Sequence, residues 1–175
     1  MAQPVSLPEY LITVFESVRY SVTKENMEML KSWIGVTVDS RNDVGQTALH
    51  IAAERDLAEV VRKLISVGAD AEAVDNAGRT PVQSAVESGS KNAMVEFGSR
   101  LPAELINMPN ARGQTALHIA ASEDRVDDVR RLLDLGADVE VLDELGRSPL
   151  VTALVHKSWN SVSYTHLTLP TKRIV

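Results

Sequence analysis

Apolar residues in this chain recur three or four positions apart in short runs, and glycine or proline separates the runs. Val60, Val61, Leu64 and Ile65 form one such stripe, which predicts a helix over 58–66 that Gly68 ends as a C-terminal glycine cap. Leu49, Ala52 and Ala53 mark a shorter helix over 48–55 just before it, and Thr47 is placed to cap its start. The same alternation predicts pairs over 81–87 with 91–99 and over 116–122 with 126–134. Pro81 and Pro149 stand where a first helical residue needs no N–H. Gly98 is expected to interrupt the 91–99 helix. Nearer the start, Leu11, Val14, Phe15 and Val18 make one helical stripe, and Met27, Leu30, Trp33 and Ile34 another.

The pattern repeats in letters as well as in hydropathy. Gly45-Gln-Thr-Ala-Leu-His-Ile-Ala-Ala53 returns unchanged as Gly113 to Ala121. Gly78-Arg-Thr-Pro-Val-Gln-Ser-Ala-Val86 and Gly146-Arg-Ser-Pro-Leu-Val-Thr-Ala-Leu154 are looser copies. The anchoring glycines at 45, 78, 113 and 146 are 33, 35 and 33 residues apart. Gly68-Ala-Asp70 comes back as Gly136-Ala-Asp138 in the same phase. Each anchoring glycine supplies the positive φ of a tight turn ahead of a helix pair.

A unit of this length and lettering resembles the ankyrin repeat, with its Thr-Pro-Leu-His-x-Ala-Ala core and Gly-Ala-Asp loop. The resemblance runs from about Asn42 to His156. It implies an all-α fold: an ankyrin-repeat solenoid of helix-turn-helix units joined by β-turn loops. The repeats are then 42–74, 75–109, 110–142 and a truncated 143–161. The family usually has glycine between the two helices, and here Asp56 and Asp124 stand there, residues that enter the left-handed region at tolerable cost. In the second repeat, Leu101-Pro-Ala-Glu-Leu-Ile-Asn107 replaces the Gly-Ala-Asp loop with two extra residues.

Both ends depart from the repeat. Residues 1–41 read as a degenerate N-terminal capping helix pair, which covers the open end of a repeat stack. Residues 162–175 have no repeat character and resemble a translated adapter from DNA library preparation, so they are set aside as a non-native tail. On that reading the last repeat frays and leaves Leu150, Ala153 and Leu154 exposed, which favours self-association.

Composition narrows the chemistry. Aromatics at 4% leave the core to Ala, Val, Leu, Ile and Met, which suits close helix packing. The absence of cysteine excludes disulfides, thiolate metal sites and thiol nucleophiles. A net charge of -6 argues against a nucleic-acid partner, and no apolar run is long enough for a membrane span. An intracellular setting, cytoplasmic or nuclear, follows as the default expectation. His50 and His118 occupy the repeat's own histidine position and read as structural, while no histidine pair has metal-ligand spacing. No nucleophile elbow or Gly-rich phosphate loop occurs, so neither an enzyme nor a cofactor site is expected, and no metal.

What remains is binding. Resemblance implies a protein-protein interaction module, an adaptor or scaffold, that takes a protein partner on its concave face. The alternative is a recruiting or regulatory arm of a larger enzyme or channel. The positions free to vary around each turn glycine and after each Ala-Ala pair are the candidate partner-binding residues. They are Val44, Gln46, Glu54 and Arg55; Arg79, Glu87 and Ser88; Arg112, Gln114, Ser122 and Glu123; and Arg147. Arginine stands at three of the turns, and reversal of Arg79 and Arg147 is expected to leave the fold intact.

Overall fold

The computed structural model describes residues 6–17, 37–158 and 160–162. Among these every regular element is a helix. The helices are α1 (Leu7–Ser17), α2 (Ala48–Glu54), α3 (Ala58–Ser66), α4 (Pro81–Ser88), α5 (Lys91–Arg100), α6 (Ala103–Ile106), α7 (Ala116–Ser122), α8 (Val126–Asp134) and α9 (Pro149–Val155). They fall into two compact units, Met1–Leu101 and Pro102–Val175.

In the first unit α2 packs against α3 within its own repeat and against α4 of the next. Likewise α3 packs on α5, and α4 on α5. Small residues allow this closeness: Ala48, Ala52, Ala53 and Ala85 are fully buried, and Leu49, Val61, Leu64, Met94 and Phe97 fill the space between them. The α1 helix lies on α2 and α3, with Leu11 and Ile12 buried. The predicted 27–34 stripe lies outside the described residues, as does Val18. In the second unit α7 packs on α8 and on α9, with Leu117, Val129 and Leu132 fully buried.

Each helix pair is introduced by the same turn. An Asn or Asp side chain accepts two backbone N–H groups: Asn42 Oδ1 from Val44 and Gln46, and Asp75 Oδ1 from Ala77 and Arg79. Asn110 and Asp143 do the same in the second unit. These Asx turns bring the chain to a glycine of positive φ, at +78° for Gly45 and +71° for Gly113. Space excludes other residues as well, because a Cβ on Gly45 would lie 2.8 Å from the Asn76 amide nitrogen of the next turn. The second helix of a complete repeat ends as expected, with Gly68 donating to Ile65 and Ala69 to Leu64 in a Schellman arrangement.

Two expectations need correction, and the segment between them takes a form of its own. Gly98 does not interrupt α5, which runs through to Arg100 because Ala93, Met94 and Phe97 anchor it in the core. Packing of that size outweighs the roughly 1 kcal/mol that glycine costs a helix. The extra residues after it form the single-turn helix α6, which delivers Asn107 to the following repeat: its Oδ1 accepts the Asp138 N–H at 2.8 Å and its Nδ2 donates to the Gly136 carbonyl. Finally, α9 exposes Leu154, but Ala153 is fully buried and Leu150 only partly open. Residues 160–162 continue as the start of a further helix.

Candidate protein-binding surface

The turn and the end of the first helix in each repeat form a surface whose polar groups divide into those that hold the fold and those that face solvent. His50 belongs to the first class. Its Nδ1 accepts the Thr47 N–H at 3.2 Å, so the proton lies on Nε2, which donates to the Arg79 carbonyl of the next turn at 2.9 Å. His118 repeats this with Thr115 and the Arg147 carbonyl. Burial holds both imidazoles below their ordinary range, against the opposing pull of the carbonyl contact. In the second repeat Gln83 takes the histidine's place and accepts the Thr80 N–H at 2.9 Å.

The three turn arginines differ. Arg79 is a brace: its Nε and Nη2 meet Asp75 Oδ2 at 2.8 and 2.6 Å, and the Asp75 side chain is only 2% exposed. Burial alone would raise the Asp75 carboxyl, but the Arg79 bonds outweigh it and hold it below the usual carboxylate range. The same guanidinium reaches Glu87 at 2.7 Å and Glu54 at 3.5 Å, and Gln46 donates to Glu54 at 2.6 Å. Gln46, Glu54, Arg79 and Glu87 are therefore one continuous polar chain. Arg147 grips Asp143 in the same way, at 2.8 and 2.7 Å. Reversal of either charge would leave a buried carboxylate without its partner, so the expected tolerance of Arg79→Glu and Arg147→Glu does not follow. Arg112 is exposed.

The remaining candidates stand further out. Val44 is 55% exposed at its turn tip, and Ser88 is exposed at the end of α4. Arg55 reaches back to Glu9 of α1 at 2.9 Å. In the second unit Glu123 pairs with Arg125 at 2.6 Å, Ser122 donates its hydroxyl to the Ile119 carbonyl, and Gln114 completes the Asn110 turn.

Sequence reasoning missed the residues that join one repeat to the next. Asp56 sits at φ 56°, and its Oδ1 accepts the backbone N–H groups of Asn92 and Ala93 at 2.8 Å, while Oδ2 accepts from the Asn92 amide. It thus caps the first turn of α5 from the preceding repeat. Asp124, at φ 55°, does the same for Ser161 and Asn160. The Ser161 N–H is the leading cause that holds the Asp124 carboxyl below its usual range. Ser90 donates to the Glu54 carbonyl and Ser158 to that of Ser122, completing the stitch. A signal was present: Asp56 precedes Asn92 by the same interval at which Asp124 precedes Asn160.

All of these pairs recur at one interval. Asp39 accepts the Asp70 N–H as Asn107 accepts that of Asp138. Asn42 answers to Asn110, Asp75 to Asp143, and Asp56 to Asp124, each 68 residues apart. Among the described residues the second unit thus repeats the polar pairings of the first at a 68-residue interval. Among the described residues no helix is long and apolar enough to cross a membrane, and no group of His, Asp or Glu is placed to hold a metal ion.

Comparison with known proteins agrees with this geometry. Residues 19–97 match a model of ankyrin repeats in three copies, and residues 101–153 match a second model of ankyrin repeats in many copies. The chain is 34% identical over 128 residues to the mouse B-cell lymphoma 3 protein homolog, covering 71% of this chain and 29% of that protein. It is 31% identical over 152 residues to a Hydra vulgaris tyrosine-protein kinase, covering 87% of this chain and 19% of the relative. The nuclear factor NF-kappa-B p105 subunit of Rattus norvegicus is 33% identical over 108 residues, or 61% of this chain and 11% of that one. The matched stretch thus spans less than a third of each of these relatives. Repeat by repeat, in turn, helix pair and matched sequence, the chain belongs to the ankyrin-repeat family.

Proposed function

We propose that this chain works as an adaptor or scaffold, binding a protein partner through the turn tips and the ends of the first helices, the side that is concave in ankyrin proteins. Ankyrin repeats are protein-interaction modules, and the match to them over most of the chain is the observation that carries the reading. The distribution of polar groups supports it. Gln46, Glu54, Arg79 and Glu87 in the first unit form a preorganised polar surface beside the exposed Val44, Arg55 and Ser88. In the second unit Arg112 and Glu123 are exposed, with Gln114, Ser122 and Arg147 partly so. A surface with both charges in fixed positions suits a charged protein segment better than a small apolar ligand.

The test is a binding measurement with Val44→Asp in one unit and Arg112→Glu in the other, neither of which touches the turn braces. Once a partner is captured, at least one of the two should weaken binding about tenfold or more, with the helical circular dichroism unchanged. Unchanged affinity in both folded variants would move the interface away from the turns.

A second reading is favoured by the lengths of the relatives. The Hydra vulgaris relative is a tyrosine-protein kinase in which the matched region is 19% of the protein. These repeats would then recruit a substrate to, or regulate, a domain carried elsewhere in a longer protein. Restoration of catalytic control by adding this chain in trans to its catalytic domain would distinguish that role from a free-standing scaffold.

A further inference from the structure

The repeated frame provides an internal comparison, because the same arginine occurs twice in the same turn with different neighbours. In the first unit Arg79 holds the buried Asp75 and, with the rest of its guanidinium, two further carboxylates, Glu87 at Nη1 and Glu54 at Nη2. In the second unit Arg147 holds the buried Asp143 in matching geometry through Nε and Nη2. The positions that answer to Glu87 and Glu54 are Val155 and Ser122. Both outer carboxylates are therefore missing. Among the described residues Asp143 is the sole side-chain partner of Arg147, whose side chain is 24% exposed with Nη1 unbonded. Val155, which stands at the Glu87 position, is 58% exposed, and Leu145, two residues before Arg147 on the turn tip, is 74% exposed.

We propose that Arg147 anchors an Asp or Glu carboxylate of the partner protein, with an adjacent apolar side chain of that partner resting on Val155 and Leu145. The inference builds on the binding role proposed above and gives the partner a chemistry. The first unit shows that this frame accepts an additional carboxylate at 2.7 Å while the inner Asp bonds are kept. A guanidinium with one edge already fixed by Asp143 loses little further freedom on binding, so the second carboxylate meets a preorganised donor.

The experiment fills the vacant place from within. Val155→Glu, at an exposed helix end, supplies the carboxylate that Glu87 supplies in the first unit and leaves the Asp143 bonds untouched; Ser122→Glu does so from the Glu54 position. A phage-displayed library of random peptides is selected on the immobilised full chain, and the selected peptides are measured by fluorescence anisotropy. The expected peptides carry Asp or Glu beside an aliphatic or aromatic residue. They should lose affinity about tenfold or more on Val155→Glu, on Ser122→Glu, and on amidation of their own acidic side chain. Peptides that bind equally well to Val155→Glu, or without their carboxylate, overturn the inference. If those same peptides are weakened by Val44→Asp, the general binding role stands without it. A library that yields no binder counts against both. Concentration-dependent dimerisation that Val155→Glu abolishes, with no peptide competing, overturns it in favour of a second copy of this chain as the occupant.

Discussion

Asp56 and Ala93 belong to successive repeats, and the carboxylate of the first accepts the backbone N–H of the second at 2.8 Å. The orphan amides at the start of α5 are thus satisfied by the neighbouring repeat instead of by a cap of their own, and the Ser90 side chain does not cap them. One side chain fixes a left-handed backbone, caps a helix and ties two repeats together.

Asp56→Ala should accordingly lose both the cap and the tolerance of positive φ, lowering stability by about 2 kcal/mol. Asp56→Asn keeps Oδ1 for the two backbone N–H groups and suits the left-handed region, but it replaces the acceptor of the Asn92 amide by a donor, so it should lose less, about 1 kcal/mol. Urea unfolding of both variants checks this, and an Asp56→Ala loss no larger than the roughly 1 kcal/mol of backbone strain would mean that the trans cap contributes nothing.

Acid should weaken the fold in two stages. His50 and His118 are held below the usual 6.5, so the folded state binds fewer protons than the unfolded one between the two values. Their contribution is full above 6.5 and is lost as pH falls from there through the folded values. Asp75, Asp124 and Asp143 are held below 3.8, and what they contribute is lost only below that point. The urea midpoint should therefore begin to fall below about pH 6.5 and fall again below about pH 4. His50→Gln with His118→Gln should remove the first stage alone, since Gln83 already performs that backbone role in the second repeat.

Turn glycines that look equivalent in sequence should differ in tolerance. An added Cβ meets backbone at 2.8 Å for both Gly45 and Gly113, yet nothing within 4 Å at Gly146. All three have positive φ. Gly146→Ala should therefore lose about 1 kcal/mol for backbone strain, and Gly45→Ala or Gly113→Ala clearly more, by thermal melting. Equal losses at the three sites would show that the turn-to-turn approach imposes no constraint.

Two buried hydroxyls have no partner among the described residues, Ser84 Oγ and Thr152 Oγ1. They occupy the position that Ile51 and Ile119 fill in the other repeats. Ser84→Ala and Thr152→Val should be neutral or stabilising by up to about 1 kcal/mol, measured as a rise in urea midpoint. A loss of that size would reveal a bond that these hydroxyls make.

Helix positions were legible because the 33-residue register fixes them and each stripe lies within a single helix. Observed bounds differ from the expected ones by a residue at Arg55, Ser88 and Arg100. Contacts between repeats were harder to see. Asp56 was read only as a substitute for glycine, since nothing local ties it to Asn92. Arg79 and Arg147 were read as variable surface residues because their role depends on an Asp four positions earlier that the turn buries. Gly98 misled in the opposite sense: its propensity is local, whereas the burial of Phe97 that keeps α5 intact is not.

The 68-residue interval also constrains how such a gene can grow or shrink. Loss of the second repeat alone would place the third directly after the first, and the position of Asn92 would be taken by Asp127, that of Ala93 by Asp128. The carboxylate of Asp56 would then face an acidic pair in place of an amide and an alanine. Loss or gain of a two-repeat block keeps Asp opposite Asn at each stitch, as Asp124 and Asn160 show.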